Sequence, residues 1–160
     1  LFGAPFHGLK ENPTLCYERD LELAQYADEL GVAELWYGEH HSGGYEIIMS
    51  PELMIAAAGQ RTKRIMLGSG VITLPYHNPL MVANRIAQLD HLTRGRVIFG
   101  AGPGLLSADA HMLGIDARES RDKLDQGLGV LGLDADTVEA GGPAGRPPEG
   151  GVAPSPHPDW

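Results

Sequence analysis

Four alternations of an apolar, β-prone run with a helix-patterned run predict an α/β fold. They recur roughly every thirty residues, the spacing of parallel strands joined by right-handed helical crossovers. Two observations agree. Three of the helix-patterned runs open on a capping residue followed by proline, at Asn12-Pro13, Ser50-Pro51 and Asn78-Pro79. The strand runs end in glycine and polar residues, and the carboxyl ends of parallel strands are where such sheets bind ligands. A (β/α)8 barrel needs about 250 residues. The chain has 160, so the residues alone leave an open doubly wound sheet or the front half of a barrel.

In order, residues 1–6 read as a short strand cut off by Pro5 and Gly8. The first helix starts at Asn12-Pro13, carries Leu21, Ala24, Ala27 and Leu30 at helical spacing, and stops at Gly31. Residues 32–37 form the second strand, with Leu35, Trp36 and Tyr37 suited to a pleated surface between layers. The second helix, 51–64, has an acid in its first turn and closes on Arg61, Lys63 and Arg64, which suits the helix dipole. It is apolar on more than one face, so the sheet covers one side and a second subunit is a candidate for the other.

The third strand, 65–74, is interrupted by Gly68 and Gly70, which mark a bulge or a close approach to the backbone. Pro75 ends it. The third helix follows Asn78-Pro79, with Val82, Ile86 and Leu89 as its apolar stripe and Arg94-Gly95 as its close. The fourth strand, 96–101, runs into Gly100, Gly102 and Gly104. That spacing is not G-x-G-x-x-G, so it is a poor dinucleotide fingerprint, but a bare backbone there leaves room for a flat ligand. A short helix at 107–112 and a main helix from Ser120, with Leu124, Leu128 and Leu131 on one face, complete the fourth unit. Residues 1–133 are thus the folded part, and the Gly/Pro-rich residues 134–160 read as a disordered tail.

Twenty-one acidic residues against 12 basic give a net charge of −9, which argues against nucleic acid or an anionic membrane as partner. No apolar run reaches the ~20 residues that span a bilayer, and no secretion signal is visible at the start. Cys16 is the one cysteine, so no internal disulfide forms and a cytoplasmic setting fits.

The chemistry concentrates after the second strand, where Gly38 is followed at once by Glu39, His40 and His41. Imidazoles titrate near neutral pH and suit proton transfer. Successive strand residues point to opposite faces, so His40 and His41 are poorly placed to share an ion. No third ligand stands at a zinc-like spacing, and no metal is expected.

Three segments together carry a resemblance. They are Glu39, His40 and His41, the run LGSGVITLPYHNP from Leu67, and the run LDHLTRGRV from Leu89. In this order and spacing the chain resembles the luciferase-like flavin monooxygenases over residues 1–131. Residues 39–50 are most similar to the limonene-monooxygenase-like branch. The resemblance implies a TIM-type (β/α)8 barrel, of which about the first four β/α units are present, with flavin at the carboxyl ends of its strands. Family barrels run to about twice this length, so the resemblance also implies a truncated form or a shifted reading frame.

It implies a reaction in which reduced FMN, supplied by a separate flavin reductase, and O2 oxygenate a small organic substrate. The alternatives are hydride transfer with the deazaflavin F420 and a non-catalytic barrel fragment. His40 matches the active-site histidine and takes the acid–base role. Glu39, Ser69, Gly70, Val71, Gly100 and Gly102 are the implied flavin-site residues, with Glu39 lining the site or orienting its neighbours. His41 is structural. A non-proline cis peptide is implied at Gly70–Val71, and Pro103 stands where some relatives place an arginine near the flavin phosphate. A homodimer through helices 51–64 and 79–92 is also implied.

Overall fold

The computed structural model describes residues 1–3 and 7–133; the expected tail at 134–160 and the second half of the first expected strand lie outside the described residues. The chain runs α1 (Pro13–Glu29), β1 (Glu34–Tyr37), α2 (Pro51–Arg61), β2 (Met66–Ser69), β3 (Ile72–Thr73), α3 (Pro79–Thr93), β4 (Val97–Ile98), β5 (Ala101–Gly102), α4 (Ser107–Met112) and α5 (Ser120–Val130). The strands form two parallel groups, β1-β2-β4 and β3-β5. Each pair of neighbouring strands is joined through a helix, as the alternation requires.

The helix ends follow their sequence signals. Asn12 caps α1 by accepting the Thr14 N–H at 3.0 Å, and Asn78 caps α3 by accepting the Met81 N–H at 3.2 Å. Ser50 stands at the cap position of α2, but its hydroxyl donates to Glu52 Oε2 at 2.9 Å instead. Glu52 is in turn held by Arg85 Nε at 3.1 Å. α1 is followed by Gly31 at φ 77°, and α3 closes on Arg94 at φ 61° and Gly95 at φ 79°, the left-handed exit that glycine makes cheap.

Several boundaries differ from expectation, each for a visible reason. The first expected strand, 1–6, contributes among the described residues only a bridge from Phe2 to Trp36, flanked by Gly3 N–H to Trp36 O at 2.8 Å and Trp36 N–H to Leu1 O at 3.0 Å. The second strand starts at Glu34, not at Val32, because the Val32 N–H is still spent on Ala27 O, 3.0 Å away at the end of α1. The second helix ends at Arg61, because Asp28 at the end of α1 pulls the next residues out of it. Its carboxylate accepts the N–H groups of Lys63, Arg64 and Ile65 at 2.7–2.9 Å.

The third expected strand is broken into β2 and β3 by the Gly70–Val71 link, which is cis. The fourth is broken into β4 and β5 by Phe99 and Gly100, where Gly100 O still accepts the Ile72 N–H at 2.8 Å but the Ser69 hydroxyl is inserted beside it. That hydroxyl donates to Gly100 O and accepts from Gly100 N–H, each at 2.9 Å.

Burial follows the strand period of two along β1, while β2 is buried at Leu67, Gly68 and Ser69 in succession. Leu35, Tyr37 and Leu67 face a core shared with Ala24 and Ala27 of α1, Ile55 and Ala58 of α2, and Leu89 of α3. Trp36 points the other way and lies flat over Gly68, where an added Cβ would stand 2.4 Å from the ring. A smaller core of Ile72, Leu74, Val82 and Leu128 sits under the fourth unit.

At the amino ends of the strands, Arg96 threads between helices. Its guanidinium donates to Gly59 O, Thr62 O, Thr62 Oγ1, Ile65 O and Thr93 O at 2.8–3.2 Å, tying the ends of α2 and α3 to β2 and β4. Among the described residues no helix is long and apolar enough to cross a membrane.

Candidate active site

The opposite, carboxyl rim is where residues 39–41 and the Gly70–Val71 link lie. β1 cannot run straight on, because at Gly38 a side chain would press on Gly70 O, 3.2 Å from the Cβ position. The backbone turns, His40 N–H donates to Ile48 O at 2.9 Å, and residues 39–41 are laid along the rim. Gly70 N–H donates to Tyr37 O at 2.7 Å, which puts the Gly70–Val71 link beside this turn.

Glu39 is the hub. Its side chain is 1% exposed. Oε1 accepts from His77 Nε2 at 2.8 Å and His41 Nε2 at 2.9 Å, while Oε2 accepts the Thr73 N–H at 2.6 Å. Burial alone would raise its pKa, but the bonds from His77, Thr73 and His41 together hold it below the ordinary carboxylate value. Both imidazoles therefore carry their proton on Nε2, facing an ionised acceptor. His41 also lies edge-on to Tyr76, with ring centroids 6.1 Å apart. Burial raises the Tyr76 pKa, and Asp109 and Glu39 add to the effect, so the phenol keeps its proton.

His40 is held differently. Its Nε2 lies 3.1 Å from Glu46 Oε2, and its Nδ1 lies 3.9 Å from Asp109 Oδ2. That Nδ1 is buried and has no hydrogen-bond partner. The side chain is 33% exposed, more than the 20% of His41 and the 24% of His77.

The expected flavin-site residues all lie on this rim or directly beneath it. Gly70 and Val71 are half-buried at its surface. Ser69 and Gly100 are occupied with each other underneath. Gly102 pairs with Thr73, and a Cβ there would meet Val71 Cγ2 at 2.7 Å. At Gly100 a Cβ would meet Ser69 O at 2.2 Å. These two glycines are therefore required by strand packing, and the surface open to a flat ring is the Gly70–Val71 link. His40 stands on the same rim, with its buried Nδ1 turned toward Asp109 and its Nε2 toward Glu46.

Sequence reasoning did not single out His77, Tyr76, Thr73, Glu46 or Asp109. His77 and Tyr76 stand inside the run from Leu67, so only their pairing with Glu39 and His41 was invisible. Asp109 gave no signal in a short helix.

Away from the rim, His7, Glu11 and Cys16 place one possible ligand atom each within 4.8 Å of one another, beside a cavity of about 290 Å³. They do not suit a metal. Both His7 nitrogens are engaged, by Asp20 at 3.0 Å and Arg19 at 2.5 Å, and the Arg19 guanidinium already sits 3.2 Å from Glu11.

Residues 5–156 match the family model described as luciferase-like monooxygenase. Limonene 1,2-monooxygenase of Rhodococcus erythropolis is 55% identical over 130 residues, covering 81% of this chain and 34% of that protein. The oxygenase component of the flavin-dependent trigonelline monooxygenase of Acinetobacter baylyi is 33% identical over 110 residues, covering 68% and 31%. The oxygenating constituent of 3,6-diketocamphane monooxygenase from Pseudomonas putida, a type II Baeyer-Villiger enzyme solved with FMN, superposes with a TM-score of 0.78 at 28% identity, over 82% of this chain and 37% of that one. The chain spans about a third of the length of the curated relatives it matches.

Proposed function

The chain belongs to the luciferase-like monooxygenase family, with the partial (β/α)8 barrel of its solved relatives, and on that premise we propose that it is the flavin-site half of a flavin-dependent monooxygenase. The cofactor in this reading is reduced FMN, delivered by a separate flavin reductase, and the substrate is a small organic molecule oxygenated with O2. The FMN-bound relative and the relative described as an oxygenase component support the cofactor and the two-component arrangement. The observation that carries the reading is that His40, its side chain one-third exposed, and the half-buried Gly70–Val71 link stand on one rim, at the carboxyl ends of β1 and β2.

Reduced flavin supplies the electrons that let one oxygen atom enter the substrate and the other leave as water. The chain's residues do the rest. Gly70 and Val71 give the ring a flat seat. Glu39 fixes the directions of His41 and His77 through Oε1 and ties the β1 turn to β3 through Thr73. His40 gives or takes a proton at its ring nitrogens, with Glu46 as its neighbour toward solvent.

The same reading includes a homodimer through helices 51–64 and 79–92, supported by Leu53, Leu80 and Met81, which are more than half exposed on those helices. It also places the protein in the cytoplasm, in keeping with the free thiol of Cys16.

Titration of the chain with FMN, followed by flavin fluorescence, tests the site. Saturable quenching that Val71→Asp abolishes is expected, and no binding would support a non-catalytic fragment. Oxygen uptake with reduced FMN, reduced at least tenfold in His40→Ala, tests the reaction. Oxidation of reduced F420 without oxygen uptake would overturn the monooxygenase reading. A monomer at micromolar concentration by sedimentation would overturn the dimer.

A further inference from the structure

An imidazole works as a base when a carboxylate holds one ring nitrogen and the lone pair of the other is left unspent. His77 has that arrangement. Its Nε2 donates at 2.8 Å to Oε1 of the buried, ionised Glu39. Among the described residues only Glu39 bonds the ring, whose side chain is 24% exposed, and its Nδ1, unlike that of His40, is not enclosed. The backbone is fixed on either side. The His77 N–H donates to Leu74 O at 3.1 Å, and Asn78, the cap of α3, follows at once. His41 shares the carboxylate, but its ring lies edge-on to Tyr76 and its N–H is spent on Asp109. The other oxygen of Glu39 accepts the N–H of Thr73 in β3, so one carboxylate ties His77 to the strand that leaves the Gly70–Val71 link.

We propose that His77 is a second acid–base residue of the site, exchanging a proton at Nδ1 with the ligand seated on the Gly70–Val71 link while Glu39 holds the ring. A proton taken up at Nδ1 makes an imidazolium against a buried carboxylate, so the new charge is balanced where it forms. Its release restores the neutral ring with its hydrogen on Nε2. The inference rests on the flavin-site reading of this rim.

Three measurements on the full chain test it. Ring-nitrogen NMR with 15N-histidine is expected to show neutral His77 protonated on Nε2 and bare at Nδ1. Diethyl pyrocarbonate, which acylates unprotonated imidazole nitrogens, is expected to modify His77 in the free chain. Saturating FMN abolishes that reaction, while His91, exposed at the far end of α3, reacts as before. A structural histidine would give the first result without the protection. His77→Gln is expected to bind FMN within about threefold of wild type yet lose oxygen uptake with reduced FMN at least about tenfold. A wild-type ring protonated on Nδ1, saturable FMN binding that leaves His77 as reactive as before, or undiminished oxygen uptake in His77→Gln overturns the proposal. Absence of FMN binding overturns the flavin-site reading, and this inference with it.

Discussion

Replacing Glu39 by Gln tests whether one buried carboxylate organises the rim. The substitution keeps shape and removes charge. If the amide oxygen stays on the Thr73 N–H, the NH2 group faces two imidazoles that now present donors, and both must swap tautomers. If the amide turns round, its NH2 meets the buried Thr73 N–H instead. The first arrangement is the cheaper. A hydrogen bond to a charged group contributes roughly 1 to 1.5 kcal/mol more than a neutral one. The Thr73 bond is fully buried and loses all of that; His41 and His77, with side chains 20% and 24% exposed, lose about half each. The sum is about 2–3 kcal/mol, a large share of a typical domain stability of roughly 5–15 kcal/mol.

Urea unfolding at pH 7, followed by circular dichroism, reads the difference as a lower midpoint at constant slope. The pH dependence has a definite sign. The folded-state pKa of Glu39 lies below its ordinary 4.5. Its contribution is therefore complete above pH 4.5 and is lost as the pH falls below it. The gap between wild type and Glu39→Gln should narrow only in that acid range. A variant within about 0.5 kcal/mol of wild type at pH 7, or a gap that widens toward acid, would refute the hub.

Three further outcomes are expected. Gly100→Ala places a Cβ 2.2 Å from Ser69 O and should cost at least about 3 kcal/mol or prevent folding, whereas Gly129→Ala, in open space within α5, should gain about 0.5–1 kcal/mol; thermal melts giving equal shifts for both would contradict the geometry. Asp28→Asn weakens three backbone bonds and should lower stability by about 1–3 kcal/mol at neutral pH. Burial would raise the Asp28 pKa, but the Lys63, Ile65 and Arg64 N–H groups bring it below its ordinary 3.8, so chemical denaturation should show the deficit shrinking only below that pH. Cys16 is 2% exposed and burial raises its thiol pKa; thiol reagents at neutral pH should label it at the rate of local opening, and rapid stoichiometric labelling of the native chain would refute its enclosure.

The elements were legible wherever a local rule fixed them. Asn12-Pro13 and Asn78-Pro79 start helices because cap and proline act within one turn, and Gly31 stops one because its φ is positive. The Glu39-His40-His41 tip was legible because it interrupts an apolar run. What stayed hidden depends on residues far apart in the chain. Asp28 shortens α2 from 35 positions away, and the hydroxyl of Ser69 divides the fourth strand through a bond to a residue 31 positions later. Glu39 was expected among flavin contacts or as an orienting group, and only the fold shows that Thr73 and His77 occupy its oxygens from the next unit. Asp109 had no periodicity or motif to mark it, since its meaning is a position beside His40.

The clamp around Arg96 lies at the foot of the sheet, at the far end of the strands from every titratable group on the rim. One cation there satisfies carbonyls from the ends of two helices and from the residue leading into β2. The foundation and the chemistry thus occupy separate floors. Descendants of this fold can exchange the loops around His40 for others and acquire new substrates, while the joinery that keeps the staves in register goes untouched.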